Sequence, residues 1–139
     1  MPTHASRIVC RTRGNGDTLD ITSRAARAVA ESGLRSGVLT LFVPGSTAGL
    51  TTIEFEPGAV SDLARLFDEI APADAEYRHH LRWGDDNGHA HVRAALLGPS
   101  LSVPFTDGKL TLGTWQQIVL VDFDTSPRER EVVAQVVGD

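Results

Sequence analysis

Between Glu76 and Arg93, in the stretch EYRHHLRWGDDNGHAHVR, stand four of the five histidines of this 139-residue chain, interleaved with Glu76, Asp85 and Asp86. Imidazole titrates near neutrality and binds transition metals, so such crowding points to proton transfer or metal ligation. His79-His80 and His89-x-His91 flank Asp85-Asp86-Asn87-Gly88, a turn that lets the two pairs fold back towards each other. Neutral imidazole suits zinc, iron, nickel or copper, and an open catalytic centre takes about three protein ligands plus water. The first choice of ligands is His80 with His91, joined by His89 or a carboxylate, with zinc as the leading divalent ion. On a strand His89 and His91 share a face, whereas on a regular helix they diverge. The bland alternative is a set of surface and helix-capping histidines, with Asp86 or Asn87 acting only as an N-cap.

A second group is Pro44-Gly45-Ser46-Thr47-Ala48-Gly49. Glycine allows unusual backbone angles, so consecutive amides can turn inward on an anion, and the Ser46 and Thr47 hydroxyls can add donors. The lysine and spacing of a P-loop are missing, which argues against nucleoside triphosphates. Glu54, one strand-length downstream, could serve as ligand or general base. A third group is Gly113-Thr114-Trp115-Gln116-Gln117. Trp115 offers a stacking face, and Thr114 and Gln116 offer neutral hydrogen bonds. Arg78, Arg82 and Arg93 lie beside the histidines and could neutralise a phosphate.

The elements that must position these groups read as follows. A strand runs from Arg7 to Thr12 and ends at Gly14-Asn15-Gly16. A helix spans Ile21 to Ser32, capped by Asp20 or Thr22 and stopped by Gly33. Val38 to Val43 is a nearly continuous apolar run that predicts a strand covered on both faces. Ala48 to Glu54 is β-rich, and Pro57 opens a helix whose stripe is Val60, Leu63, Phe67 and Ile70. A short helix runs from about Ala90 to Leu97 and ends at Gly98-Pro99. Leu101, Val103 and Phe105 alternate, and Asp107-Gly108 predicts a hairpin returning through Leu110 and Leu112. Gln116–Phe123 and Glu131–Val137 are two further strands, joined through Thr125-Ser126-Pro127. Helices near the front and hairpins near the back predict a compact α+β domain of mixed or antiparallel sheet with two to three helices.

The length fits one domain, residues 1–139, and 41% apolar with 22% charged residues is ordinary for a soluble globular protein. A net charge of −5 argues against broad binding to nucleic acid or anionic lipid. Cys10 is the lone cysteine, which excludes an intrachain disulfide and a cysteine-based metal cluster. The first residues, MPTHASRIVC, carry no signal-peptide run, and no segment reaches membrane-spanning length. The expectation is a cytoplasmic protein. Twelve arginines stand against one lysine, Lys109, the sole candidate for Schiff-base chemistry.

In order, these segments resemble the YjbQ family of small proteins, credited with a secondary thiamine-phosphate synthase activity. The resemblance is carried by Ser46-Thr47-Ala48-Gly49-Leu50-Thr51 with Glu54, by Tyr77 with His80, and by Asp86 and Ala90-His91. It continues through Leu97-Gly98-Pro99-Ser100-Leu101, Val103-Pro104, Gly108 and Leu112-Gly113-Thr114-Trp115-Gln116, and so covers essentially the whole chain. It implies a compact α+β fold assembled as a homotrimer, a site around the histidines, and a divalent cation. The implied side reaction joins a pyrimidine pyrophosphate to a thiazole phosphate and releases pyrophosphate. One departure stands out: many members place a histidine directly before the Ser/Thr pair, where this chain has Gly45. His89, ahead of His79, is the expected substitute.

The leading expectation is a small metal-assisted enzyme acting on a phosphorylated metabolite. His80, His89 and His91 hold the ion, and Glu54 or Asp86 positions water or moves a proton. Gln116 is grouped with these catalytic residues and, with the Ser46-Thr47 loop and Arg93, binds the anionic end. Ser46, Thr47, Arg93, Thr114 and Trp115 hold the substrate. The alternative is a non-catalytic module that binds a metabolite or a structural metal.

Overall fold

Apolar alternation on strands and 3.6-residue stripes on helices set the layers of this molecule, a computed structural model that describes all 139 residues. The elements are β1 (Thr3–Thr12), β2 (Asp17–Asp20), α1 (Thr22–Ser32), β3 (Gly37–Phe42), β4 (Ala48–Ile53), α2 (Pro57–Ile70), α3 (Arg78–Trp83), α4 (Gly88–Leu97), β5 (Ser100–Thr106), β6 (Lys109–Leu110), β7 (Gln117–Asp122) and β8 (Arg128–Gly138). One antiparallel sheet has the order β1-β8-β3-β5-β6, and a second has the order β2-β7-β4. The α+β class is as expected, with four helices rather than two or three and with two separate sheets.

The two sheets and α1 enclose the main core, to which Leu39, Leu41, Phe105, Ile118, Leu120 and Val132 contribute fully buried side chains. Each such side chain contributes on the order of 1.5–3 kcal/mol. The far face of the three-stranded sheet is covered by α2 and α4, where Phe67, Ala90 and Ala94 pack on Val119, Val121 and Phe123. Strand β7 is therefore the one buried on both faces. The run Val38–Val43 is not: Leu39 and Leu41 face the core, while Val38 and Phe42 are exposed. No helix covers the outer face of the larger sheet, and that is why β3 alternates.

Local signals hold up where they are chemically specific. Asp107 and Gly108 both take positive φ, 53° and 74°, the primed turn that matches the twist of the β5–β6 hairpin. Gly33 ends α1 in the left-handed conformation with its N–H on the Ala30 carbonyl. The Asp20 carboxylate accepts from the Thr22 N–H at 2.9 Å, although Ile21 occupies the cap position. Pro57 opens α2 and the Glu56 side chain caps it; of the expected stripe, Phe67 is buried, whereas Ile70 is half exposed. Two elements were not foreseen. β2 has four residues and depends on pairing with β7, and α3 has six residues and no buried side chain. Neither is long enough for its pattern to declare itself. No helix is long and apolar enough to cross a membrane.

Candidate functional site

Helices α3 and α4 bring the four histidines together, and glycine makes their close approach possible. Tyr77, extended just before α3, lays its side chain against Gly88: a Cβ at Gly88 would stand 2.4 Å from the Tyr77 Cβ. The Tyr77 hydroxyl donates to the Pro72 carbonyl at 2.8 Å. Between the helices, Asp86 takes φ 56°, tolerated by a short polar side chain, and Asp85 accepts from the Asn87 N–H at 3.2 Å. Asn87 then ties this turn to the end of β7. Its Nδ2 donates to Asp124 at 3.3 Å and its Oδ1 accepts from the Thr125 N–H at 3.1 Å.

The imidazoles form two pairs. His79 and His91 face each other with ring centroids 4.3 Å apart and planes inclined by 38°. His80 and His89 flank the Tyr77 ring at 5.8 and 6.4 Å and line a cleft of about 550 Å³ with Asn15, Asp74, Glu76 and Asp86. The expected set His80, His89 and His91 is thus divided. Because α4 begins at Gly88, His89 and His91 both lie on a helix, where two residues turn through about 200°. His79, not His80, is the partner of His91.

Burial holds the His91 imidazole below its ordinary value of 6.5, and the neighbouring His79 adds to this against the pull of Asp85, Asp124 and the Ser46 backbone. Burial does the same to His89, helped by Arg93 and His80 and opposed by Asp68 and Asp86. Three imidazole nitrogens are buried without a hydrogen-bond partner: His79 Nδ1, His80 Nε2 and His89 Nδ1. The first of these lies 3.3 Å from an Asp85 oxygen but is misaligned for a hydrogen bond. Buried polar atoms are rarely left without a partner.

A pH dependence follows. With both folded-state values below 6.5, the unfolded chain binds protons more readily beneath that pH. Stability is expected to be full above 6.5 and to fall as pH drops through it towards the lower folded-state values. Urea midpoints between about pH 7.5 and 5 should show this slope, and His89→Gln should flatten it. A wild-type midpoint that stays level across the window would contradict it.

Beneath the Ser46–Thr47 loop lies a buried network that the sequence reading missed. Asp122, whose side chain is 0% exposed, binds Arg130 in bidentate fashion at 2.8 and 2.9 Å and accepts from the Thr12 hydroxyl at 2.6 Å. Arg130 Nη2 also donates to the Thr47 hydroxyl at 2.7 Å, and that hydroxyl donates to Asp124 at 2.9 Å. Burial alone would raise Asp124, but the Ser126 N–H, Thr47 and Arg128 hold it below 3.8. The Asp122 hydrogen bonds push the Arg130 pKa up further. The signal was available: Asp122 and Asp124 close an apolar strand two residues apart, as do Arg128 and Arg130 at the start of the next.

The other expected site residues fall in different places. Ser46 is exposed beside His91. The Thr47 hydroxyl is consumed by Arg130 and Asp124, so it holds the loop and is not free for a substrate. Arg93 is 7% exposed and spent on the Ala71 carbonyl at 2.9 Å and on Asp68 at 3.1 Å, where it fastens α4 to the end of α2. Asp86 stands 3.9 Å from His80, on the second pair. Glu54 follows the far end of β4, and Thr114, Trp115 and Gln116 precede β7 at that same end. The ladder pairs Ala48 with Asp122 and Ile53 with Gln117, so this group sits about 17 Å from the histidine end. Gln116 is occupied there, accepting from the Gly113 N–H at 3.0 Å and donating to Thr52 at 3.2 Å, while Trp115 projects into solvent. The largest hollow, about 630 Å³ around Gly14-Asn15-Gly16 and Phe55, contains none of the histidines.

The donor set also tests the implied cation. No three His, Cys, Asp or Glu side chains converge as metal ligands. Each imidazole pair offers two rings, and Gly45 has no side chain to add a third. A three-ligand centre within one chain therefore does not fit these residues.

Comparisons with known proteins agree with the fold. The family model described as UPF0047 protein YjbQ-like matches residues 6–139. A UPF0047 protein of Methanothermobacter thermautotrophicus is 35% identical over 138 residues, covering 99% of this chain and 94% of its own. A Synechocystis UPF0047 protein is 34% identical, covering 98% and 92%. Among solved structures, a YbjQ-like protein of unknown function from Sulfolobus solfataricus superposes with a TM-score of 0.94 at 33% identity, over 99% of both chains. A yjbq/upf0047 family protein from Clostridium acetobutylicum gives 0.87 at 34% identity, over 95% of this chain and 99% of its own. With matches of this extent in both sequence and structure, the chain belongs to the UPF0047 YjbQ-like family.

Proposed function

We propose that this protein is a small enzyme acting on a phosphorylated metabolite, with the His79–His91 pair moving the proton. The observation that carries the reading is this pair, set beside the Ser46 backbone. Its depressed His91 favours the neutral form near pH 7 and can take a proton, and the Asp85 carboxylate, 3.3 Å from His79 Nδ1, favours the resulting positive charge. Stability offers no comparable reason for the site. Buried ion pairs such as Asp122–Arg130 roughly offset their own desolvation at best, so their worth here lies in fixing the loop against His91.

Thermal stabilisation by a panel of phosphorylated metabolites, followed by phosphorus NMR of each stabilising compound for turnover, tests the proposal. A compound at a hundred times its dissociation constant adds about 2.7 kcal/mol to stability and should stand out. Stabilisation with turnover supports the enzyme. Binding without turnover would replace it with a non-catalytic metabolite-binding module, and no stabilisation by any phosphorylated compound would refute both.

A further inference from the structure

We infer that the Gly45–Thr47 loop and Arg130 form a seat for a phosphoryl group, in which Arg130 Nη1 reaches the ligand through the opening left by Gly45. This rests on the reading of the adjacent His79–His91 pair as the reactive site and names the group that pair faces.

Three independent observations carry it. The backbone N–H groups of Gly45, Ser46 and Thr47 donate to no acceptor in the protein, and Gly45 and Ser46 are exposed, so these donors are open to a ligand. Three successive free amides are the inventory of an anion nest. Arg130 supplies the second observation. Its side chain is nine-tenths buried, Nε and Nη2 are committed to Asp122 and Thr47, and Nη1 has no partner yet is not sealed from solvent. A guanidinium held on two edges and free on the third is a preorganised donor that needs no further ordering.

Gly45 is the third. Its φ is +123°, a conformation that disfavours any side chain, and a Cβ there would meet Arg130 Nη1 at 3.0 Å. The position where the family resemblance expects a histidine is here the window onto a cation. Ser46 is exposed and His91 lies beside its backbone, which sets the seat next to the imidazole pair. Asp122 and Asp124 do not oppose the ligand directly: the oxygens of both are turned onto Arg130, Thr12, Thr47, Asn87 and backbone N–H groups. A tetrahedral dianion satisfies such a mixed set of backbone and guanidinium donors.

The test is a titration of the full chain with inorganic phosphate, followed by ¹H–¹⁵N NMR. In the wild type, the Gly45, Ser46 and Thr47 amides and the Arg130 guanidinium should shift together and saturably. Gly45→Ala should weaken phosphate binding about tenfold or more, since it removes a charge-assisted hydrogen bond and reshapes the nest. If that variant does not fold, the wild-type shifts decide the matter alone. Absence of a saturable shift at these groups overturns the seat, as does unchanged affinity in a folded Gly45→Ala. Phosphate binding without turnover of any phosphorylated compound upholds the seat and removes the enzymatic reading. Turnover that depends on His91 while phosphate leaves these amides unmoved overturns the seat and leaves the enzymatic reading standing.

Discussion

Asp122→Ala is expected to lower the unfolding free energy by about 3–5 kcal/mol, the cost of removing one partner from a buried ion pair. The carboxylate is wholly buried and is the only acceptor for Arg130 Nε. It also takes the Thr12 hydroxyl and the Asp124 N–H. Truncation leaves a nine-tenths buried guanidinium with only the more distant Asp124 carboxylate, 4.0 Å away, and strands the Asp124 N–H, while the Thr12 hydroxyl keeps only the Arg128 carbonyl at 3.2 Å. The loss should appear as a lower urea midpoint with little change in slope. Glu129→Ala is the control, since its 3.5 Å contact with Arg11 is exposed on both sides and is worth under about 1 kcal/mol. Asp122→Asn should fall between, because it keeps one acceptor oxygen. A loss below about 1 kcal/mol for Asp122→Ala would show that the truncation leaves no uncompensated buried charge at Arg130.

The second large effect concerns the histidines. For the metabolite identified by stabilisation and turnover, His79→Ala and His91→Ala are each expected to reduce turnover by about 10²–10⁴-fold, the usual range for losing a positioned acid or base. His80→Ala should change it far less, because His80 belongs to the other pair. A readout free of substrate accompanies this. His79 is one of the groups that keep the His91 imidazole below 6.5, so His79→Ala should move the His91 titration, followed by imidazole NMR, upwards. Equal losses for His80→Ala and His79→Ala, or an unmoved His91 titration, would dissolve the assignment of the proton-moving pair.

Much of this molecule could be read before its structure. The hairpin at Asp107-Gly108, the stop at Gly33 and the opening of α2 at Pro57 depend on the conformational rules of single residues, so they are visible locally. The density of histidine between Glu76 and Arg93 marked, for the same reason, the segment whose imidazoles α3 and α4 bring together. Which histidines meet was not legible. Adjacent His79 and His80 differ only in where a six-residue helix points them, and that helix sits where Tyr77, just before it, packs on Gly88.

Composition and periodicity thus determined the α+β class, most of the elements and the segment that carries the histidine cluster, because each is encoded over a few consecutive residues. The tertiary structure alone decided that His79 pairs with His91, that Arg93 and the Thr47 hydroxyl are spent on packing and hydrogen bonds, and that Glu54 and Gln116 lie at the opposite end of a strand ladder. It alone also joined Thr12 to Asp122 and Thr47 to Arg130, partners 110 and 83 residues apart. Such contacts arise from strand register and layer packing, and no local pattern specifies them.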